Sequence, residues 1–251
     1  MTGEGSDVSP AESVTSEIVA AGGAAVSDSH DVSTVDGGEK VVSHALSAFG
    51  RIDVVINNAG IIQWAGPPEV DATNIQRHLD VHVMGSFNTV RAAWPHLESQ
   101  GYGRIVMTTS SGIFGLPNNT GYAAAKGGVI GLTRSLAVAG AWGGIKVNAI
   151  APAAMTRMAG GGTDEMAQQM DPALVAPMAA YLAHEECPVS GEIYAAGAGR
   201  FSRIFIAMTP GNVRAGTPTI ESVAAQWPQI NAEPDYVVPS DLMSWSASFL
   251  G

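Results

Sequence analysis

From residue 38 to 49, apolar side chains recur at Val41, Val42, Ala45 and Leu46, the spacing of one helix face, and Gly50 closes the segment. The pattern then changes to a continuous apolar run, IDVVI at 52–56, as expected of a strand buried on both faces of a parallel sheet. These two signals go on alternating. Residues 73–97 carry Ile75, Leu79, Val83, Phe87, Val90 and Trp94 at helical spacing, and 104–108 (RIVMT) reads as a strand. A helix over 122–139 follows, then strands over 145–150 (IKVNAI) and 191–195 (GEIYA). Earlier in the chain, 10–21 reads as a helix with Ser9 as N-cap, Pro10 in the first turn and Gly22-Gly23 as the stop. Ala24-Ala25-Val26 is then a short strand candidate. Strand and helix in alternation predict an α/β fold built on a doubly wound parallel sheet. Beyond Gly199 the alternation fades. Residues 200–251 are punctuated by proline and hold Trp227, Tyr236 and Trp245, which predicts a C-terminal extension packed on the 1–199 core.

Composition narrows the class. Apolar residues make up 46% and charged residues 14% of 251, a globular rather than disordered balance. The formal charge of −11 argues against a nucleic-acid or anionic membrane surface. Cys187 stands alone, so no intramolecular disulfide or cysteine metal cluster is expected, and a reducing cytoplasm is the expected setting. The first residues are polar and acidic, unlike a signal peptide, and no apolar run of about 18 residues occurs. A small-molecule partner fits this chain better than a polymer or a bilayer.

In an open α/β sheet, ligands sit beyond the carboxyl ends of the strands. Asn57-Asn58-Ala59-Gly60 follows one predicted strand, Ser110-Ser111 another, and Ala151-Pro152 a third. Tyr122 and Lys126 are four apart on a helix, so both emerge on one face. A phenol with a pKa near ~10 is a poor proton relay at neutral pH, and a neighbouring ammonium brings it toward the working range. A serine hydroxyl can hold a substrate oxygen against that phenol. Proton transfer coupled to hydride transfer is the chemistry such a group suits. His78 and His82 also share a helix face, but without a third ligand or an HExxH pattern no metal site is expected.

The segments IDVVINNAG (52–60), GRIVMTTSSG (103–112), GYAAAKGGVIGLTRSLA (121–137) and IKVNAIAP (145–152) resemble the short-chain dehydrogenase/reductase family. GEKVVSHALSAFGRIDVVINNAG, VHVMGSFNTVRAAW and NAIAPAAMTRM carry a narrower likeness, to the hydroxyacyl-CoA dehydrogenase domain of multifunctional enzymes and its bacterial relatives. The resemblance implies a Rossmann-like three-layer fold and an oxidoreductase that moves a hydride between NAD or NADP, with NAD slightly preferred, and a secondary alcohol or ketone. A 3-hydroxyacyl thioester is the substrate class it suggests. Residue by residue, it implies Tyr122 as acid/base and Lys126 on the nicotinamide ribose. Ser110 orients the substrate, with Ser111 as an alternative, and His82 stands where many members place a relay asparagine. Asn58, Ala59 and Gly60 would line the adenosine ribose, and Asp31 and Val32 the adenine. Pro152, Ala153 and Thr156 would border the nicotinamide. GGGTDEMAQQM, beginning at Gly160, would be a substrate lid, and Gly160-Gly161-Gly162 is expected to be a mobile loop. A homo-oligomer through the tyrosine-bearing helix is also implied.

The same resemblance aligns GEGSDVSPAE with the loop after the family's second strand, so the TGxxxGxG turn, the first two strands and the first helix are not matched. The expectation is an N-terminally truncated core with an open strand edge, unstable unless the Ala24–Val26 segment moves in to cover it. A non-catalytic remnant or interaction subunit, unable to bind dinucleotide, is the alternative function.

Overall fold

Helices start and stop where side chains can satisfy the free backbone groups at their ends. In the computed structural model, which describes residues 9–156, 158, 163–212 and 217–250, Thr34 Oγ1 accepts from Gly37 N–H at 3.0 Å and opens α2 (Val35–Phe49). Gly50, at φ 76°, ends it in the left-handed region. Ahead of it lies α1 (Ser9–Ala20). The strands are β1 (Val54–Asn57), β2 (Gly103–Thr108), β3 (Ile145–Ala153) and β4 (Ile193–Gly197). They lie side by side in that order, each parallel to the next, with Val54 opposite Arg104, Gly103 opposite Ile145 and Ala149 opposite Ile193. A fifth strand, β5 (Arg200–Ile204), joins beyond β4 through Ala198 and Gly199, both at positive φ as a two-residue hairpin turn requires.

The helical segment predicted over 73–97 is one rod from Ala72 to Ser99. It consists of α3 (Ala72–His78), a wide π turn (Leu79–Met84) and α4 (Gly85–Ser99). Then come α5 (Thr120–Gly140), α6 (Asp164–Gln169) and α7 (Ala176–Ala183). Every residue of β2 is buried. On one face Val106 joins Ile150, Leu182, Cys187 and Ala196, with Met178 and Ala179 of α7 packed against them. Alternation along a strand turns Ile105 and Met107 to the other face, where α4 and α5 lie, with α2 against α4. The result is the expected three-layer α/β/α arrangement. None of the described helices is long and apolar enough to cross a membrane.

One expectation is corrected. Ala24–Val26 forms no strand, and just beyond it Asp28 accepts from His30 Nδ1 at 2.9 Å and His44 Nδ1 at 2.7 Å. Three small residues with Val26 45% exposed offer too little apolar surface to draw the segment into the sheet. It does not cover β1, whose outer edge pairs with no described strand and whose Val54 and Ile56 are 38% and 50% exposed. The division between the two compact units falls after Arg203, four residues later than Gly199, because β5 belongs to the sheet.

The second unit (Ile204–Gly251) contains α8 (Ile220–Ala225), α9 (Trp227–Ile230) and α10 (Leu242–Leu250). Phe205 stacks on Tyr236, Met208 and Val237 form an antiparallel bridge, and Thr209 donates to Ile230 O at 2.8 Å. Its aromatics thus organise the tail locally.

Candidate active site

Beyond the carboxyl ends of β1, β2 and β3, a cleft of about 550 Å³ brings together most of the predicted site. Thr109, just past β2, donates its hydroxyl to Lys126 O at 2.8 Å and so fixes α5 to the sheet. Lys126 is 4% exposed, and its Nζ donates to Thr108 O at 2.7 Å. Burial pushes this ammonium down to about 7. One turn earlier on α5, Tyr122 lies with its ring centroid 5.5 Å from that Nζ. Burial raises the phenol above its ordinary value, and the nearby Ser110 hydroxyl pulls it back. Of the two serines, Ser110 is the one that acts on Tyr122 in this way. It also accepts from Gly112 N–H at 3.0 Å, which fixes the turn after β2. Ser111 lines the same cleft. Burial acts against the charged form of both groups, raising the phenol and lowering the ammonium.

His82, in the π turn, donates from Nε2 to Ile61 O at 2.8 Å, while its buried Nδ1 has no partner. Burial, with Lys126 nearby, pushes the imidazole down to about 3, so it is neutral at working pH. A Cβ on Gly60 would lie 2.7 Å from His82 Cε1, so only glycine fits there. The same reasoning applies to Gly121. Its Cβ would meet Asn74 Oδ1 at 2.4 Å and the Ile75 Cα at 3.3 Å. Gly121→Ala is therefore expected to destabilise the fold by about 1–3 kcal/mol, read as a drop in melting temperature.

On the cofactor side, Asn58, Gly60, Pro152 and Thr156 line the cleft. Val32 and Ala59 line a second cavity of about 270 Å³ that also shares Asn58. Asn58 Oδ1 accepts from Thr108 Oγ1 at 3.3 Å, and Val32 O accepts from Asn88 Nδ2 at 3.0 Å. Two predicted contacts line neither cavity. The Asp31 carboxylate accepts from Ser33 N–H at 2.9 Å in a local turn, and Ala153 closes against Gly197, where a Cβ would strike Ala153 O. Gly160, Gly161 and Gly162 lie outside the described residues. Trp64, Leu116 and Asn119 line the cleft and escaped the sequence reading. Asn119 had a signal, three residues before Tyr122 at the start of the same helix. The other two sit in loops without periodicity.

A model of the short chain dehydrogenase family matches residues 5–166. A short-chain type dehydrogenase/reductase of Mycobacterium tuberculosis is 38% identical over 230 residues, covering 91% of this chain and 80% of that one. Peroxisomal multifunctional enzyme type 2 of Drosophila melanogaster is 37% identical over 235 residues, and this chain spans only 39% of its length. The structure of that full-length fly enzyme superimposes with a TM-score of 0.82 at 33% identity, covering 96% of this chain and 43% of that one. A short chain dehydrogenase from Mycobacterium avium gives 0.78 at 29% identity, over 89% and 80% of the two chains.

Proposed function

The chain belongs to the short-chain dehydrogenase/reductase family of oxidoreductases, and from that premise we propose that it interconverts a secondary alcohol and its ketone in the cleft around Tyr122. The observation that carries this reading is Tyr122 beside buried Lys126, with Ser110 in the same cleft at the carboxyl ends of β2 and β3. In the reducing direction the Tyr122 phenol gives its proton to the ketone oxygen, which Ser110 holds in place. In the oxidising direction a Tyr122 phenolate takes the alcohol proton. Lys126 favours that phenolate when it is itself charged, and its position near pH 7 makes that charge available in the neutral range.

NAD or NADP, when bound, supplies or accepts the hydride at the substrate carbon. The chemistry of the lining suits the nicotinamide half: Lys126 and Asn58 offer polar groups for ribose hydroxyls, while Ile150 and Pro152 offer apolar surface. NAD is the form we favour, by likeness to the relatives. For the substrate we favour a 3-hydroxyacyl thioester, by the family resemblance, and Trp64, Leu116, Val175 and Ala179 give the cleft apolar surface for an acyl chain. Pairing of copies through α4 and α5, and a cytoplasmic setting, complete the proposal.

Fluorescence titration of the folded chain with NADH and with NADPH tests it. At least one should bind, and Lys126→Ala should weaken that binding. Binding of neither by a folded protein would favour the non-catalytic alternative.

A further inference from the structure

His78 takes no part in the chemistry described so far, yet it touches the reacting tyrosine by three routes. It is fully buried at the end of α3. Its ring stacks on His82, with centroids 6.0 Å apart and planes 9° from parallel. Tyr122 presents its ring to both imidazoles at right angles, 6.0 Å from His78 and 5.2 Å from His82. The phenol ring is therefore bounded on one side by a rigid pair of imidazoles. The second route is through the backbone. Gly121, immediately before the tyrosine, lies so close to His78 Nδ1 that an added Cβ would be 2.9 Å away. The third is through the loop after β1. Gln63 N–H donates to His78 Nε2 at 3.2 Å, and Asn74 Nδ2 donates to Gln63 O at 3.1 Å. Two residues on, Ala65 O accepts from Thr120 N–H at 3.2 Å, where α5 begins.

Both nitrogens of His78 have fixed roles. Nδ1 faces a carbonyl, Asn74 O at 2.8 Å, so it must donate, and Nε2 faces an N–H, so it must accept. The ring is neutral with its proton on Nδ1, and burial, which lowers its pKa, keeps it so. A second proton would set two donors against each other at Gln63.

We propose that His78 is a positioning residue for Tyr122. Acting through Gln63 and the start of α5, it holds the phenol where it meets Ser110 and lies beside Lys126. The proposal rests on Tyr122 as the acid/base, and its test is separable from that reading. Two substitutions each copy one end of the imidazole. His78→Gln places an acceptor near the position of Nε2 and keeps the bond from Gln63, whereas His78→Asn keeps only the donor to Asn74. His78→Phe keeps the ring and neither bond.

Tyr122 ionisation is read, without turnover, as the phenolate absorbance difference between each protein and its Tyr122→Phe counterpart. Turnover is read separately as kcat and KM. The expected result is a displaced phenol titration and a kcat lowered about 100-fold, the order expected of a misplacement near 1 Å, in His78→Asn and His78→Phe. KM should be little changed, and His78→Gln should stay close to wild type in both readouts. If His78→Phe does not fold, the Gln and Asn variants decide alone. Folded Asn and Gln variants with the same phenol titration as wild type overturn the proposal. So does an equal loss in both. A displaced titration in a chain without dehydrogenase turnover would instead retire the functional reading and leave the positioning role standing.

Discussion

Tyr122→Phe is expected to lower kcat by about 10²–10⁴-fold, the usual worth of a positioned general acid or base, while leaving cofactor binding intact. The substitution removes one oxygen and keeps the ring that packs edge-on against His78 and His82. It removes at most one hydrogen-bonding partner of the cleft, a change of about 0.5–1.5 kcal/mol in stability, too little to unfold a domain of this size. Loss of turnover with a near-native melting curve would therefore report on chemistry alone. A variant that keeps most of its kcat would remove Tyr122 from the acid/base role. Because Lys126 lies near pH 7 through burial, the wild-type rate of alcohol oxidation is also tied to the neutral range, where both the ammonium and a proton acceptor are needed.

The second large effect is on stability in acid. His82 titrates near 6.5 when unfolded and about 3 in the fold, since burial excludes the charged ring. Below pH 6.5 the unfolded chain binds a proton there that the folded chain does not. Stability contributed by this group is complete above 6.5 and is lost as pH falls toward 3. At 1.36 kcal/mol per unit the full loss is on the order of 5 kcal/mol. His78, lowered in the same direction by the same cause, adds to it. Urea unfolding of wild type and His82→Gln between pH 7 and pH 4 isolates the effect, because the carboxylates are common to both. The variant is expected to start lower and lose less. Parallel slopes would show that His82 does not hold off its proton in the fold.

How much of this could be read in the chain depends on whether a residue acts through a repeated pattern or through one contact. β1, β2, β3 and β4 announce themselves by apolar runs, which suit the covered strands β2 and β3, although Val54 and Ile56 leave β1 partly exposed. Every position of β2 is indeed buried. Tyr122 and Lys126 were legible because a helix fixes the relation between residues four apart. β5 was missed because Arg200, Phe201 and Ser202 lie on an exposed edge strand with no apolar alternation to display. Ala24–Val26 was misread for the converse reason, since β-branched and small residues look like a strand until a partner is required. The wide turn at Leu79–Met84 leaves the apolar spacing nearly unchanged, so it could not be seen. The shared face of His78 and His82 is legible, but the role proposed for His78 is not, because it depends on Gln63 and Thr120, which are distant in sequence.

The one-sided pairing of β1 grades the cleft mechanically. β2 and β3 are hydrogen-bonded on both flanks, and the catalytic side, Ser110 and Lys126, is rooted in them. Among the described residues, Asn58 to Gly60 grow from a four-residue strand paired on one flank only. Local opening of the molecule therefore begins at lower free energy beneath the cofactor-facing loop than beneath the proton-handling groups. A ligand that bridges the two sides stitches a soft margin to a stiff centre, and part of its binding energy goes into ordering that margin.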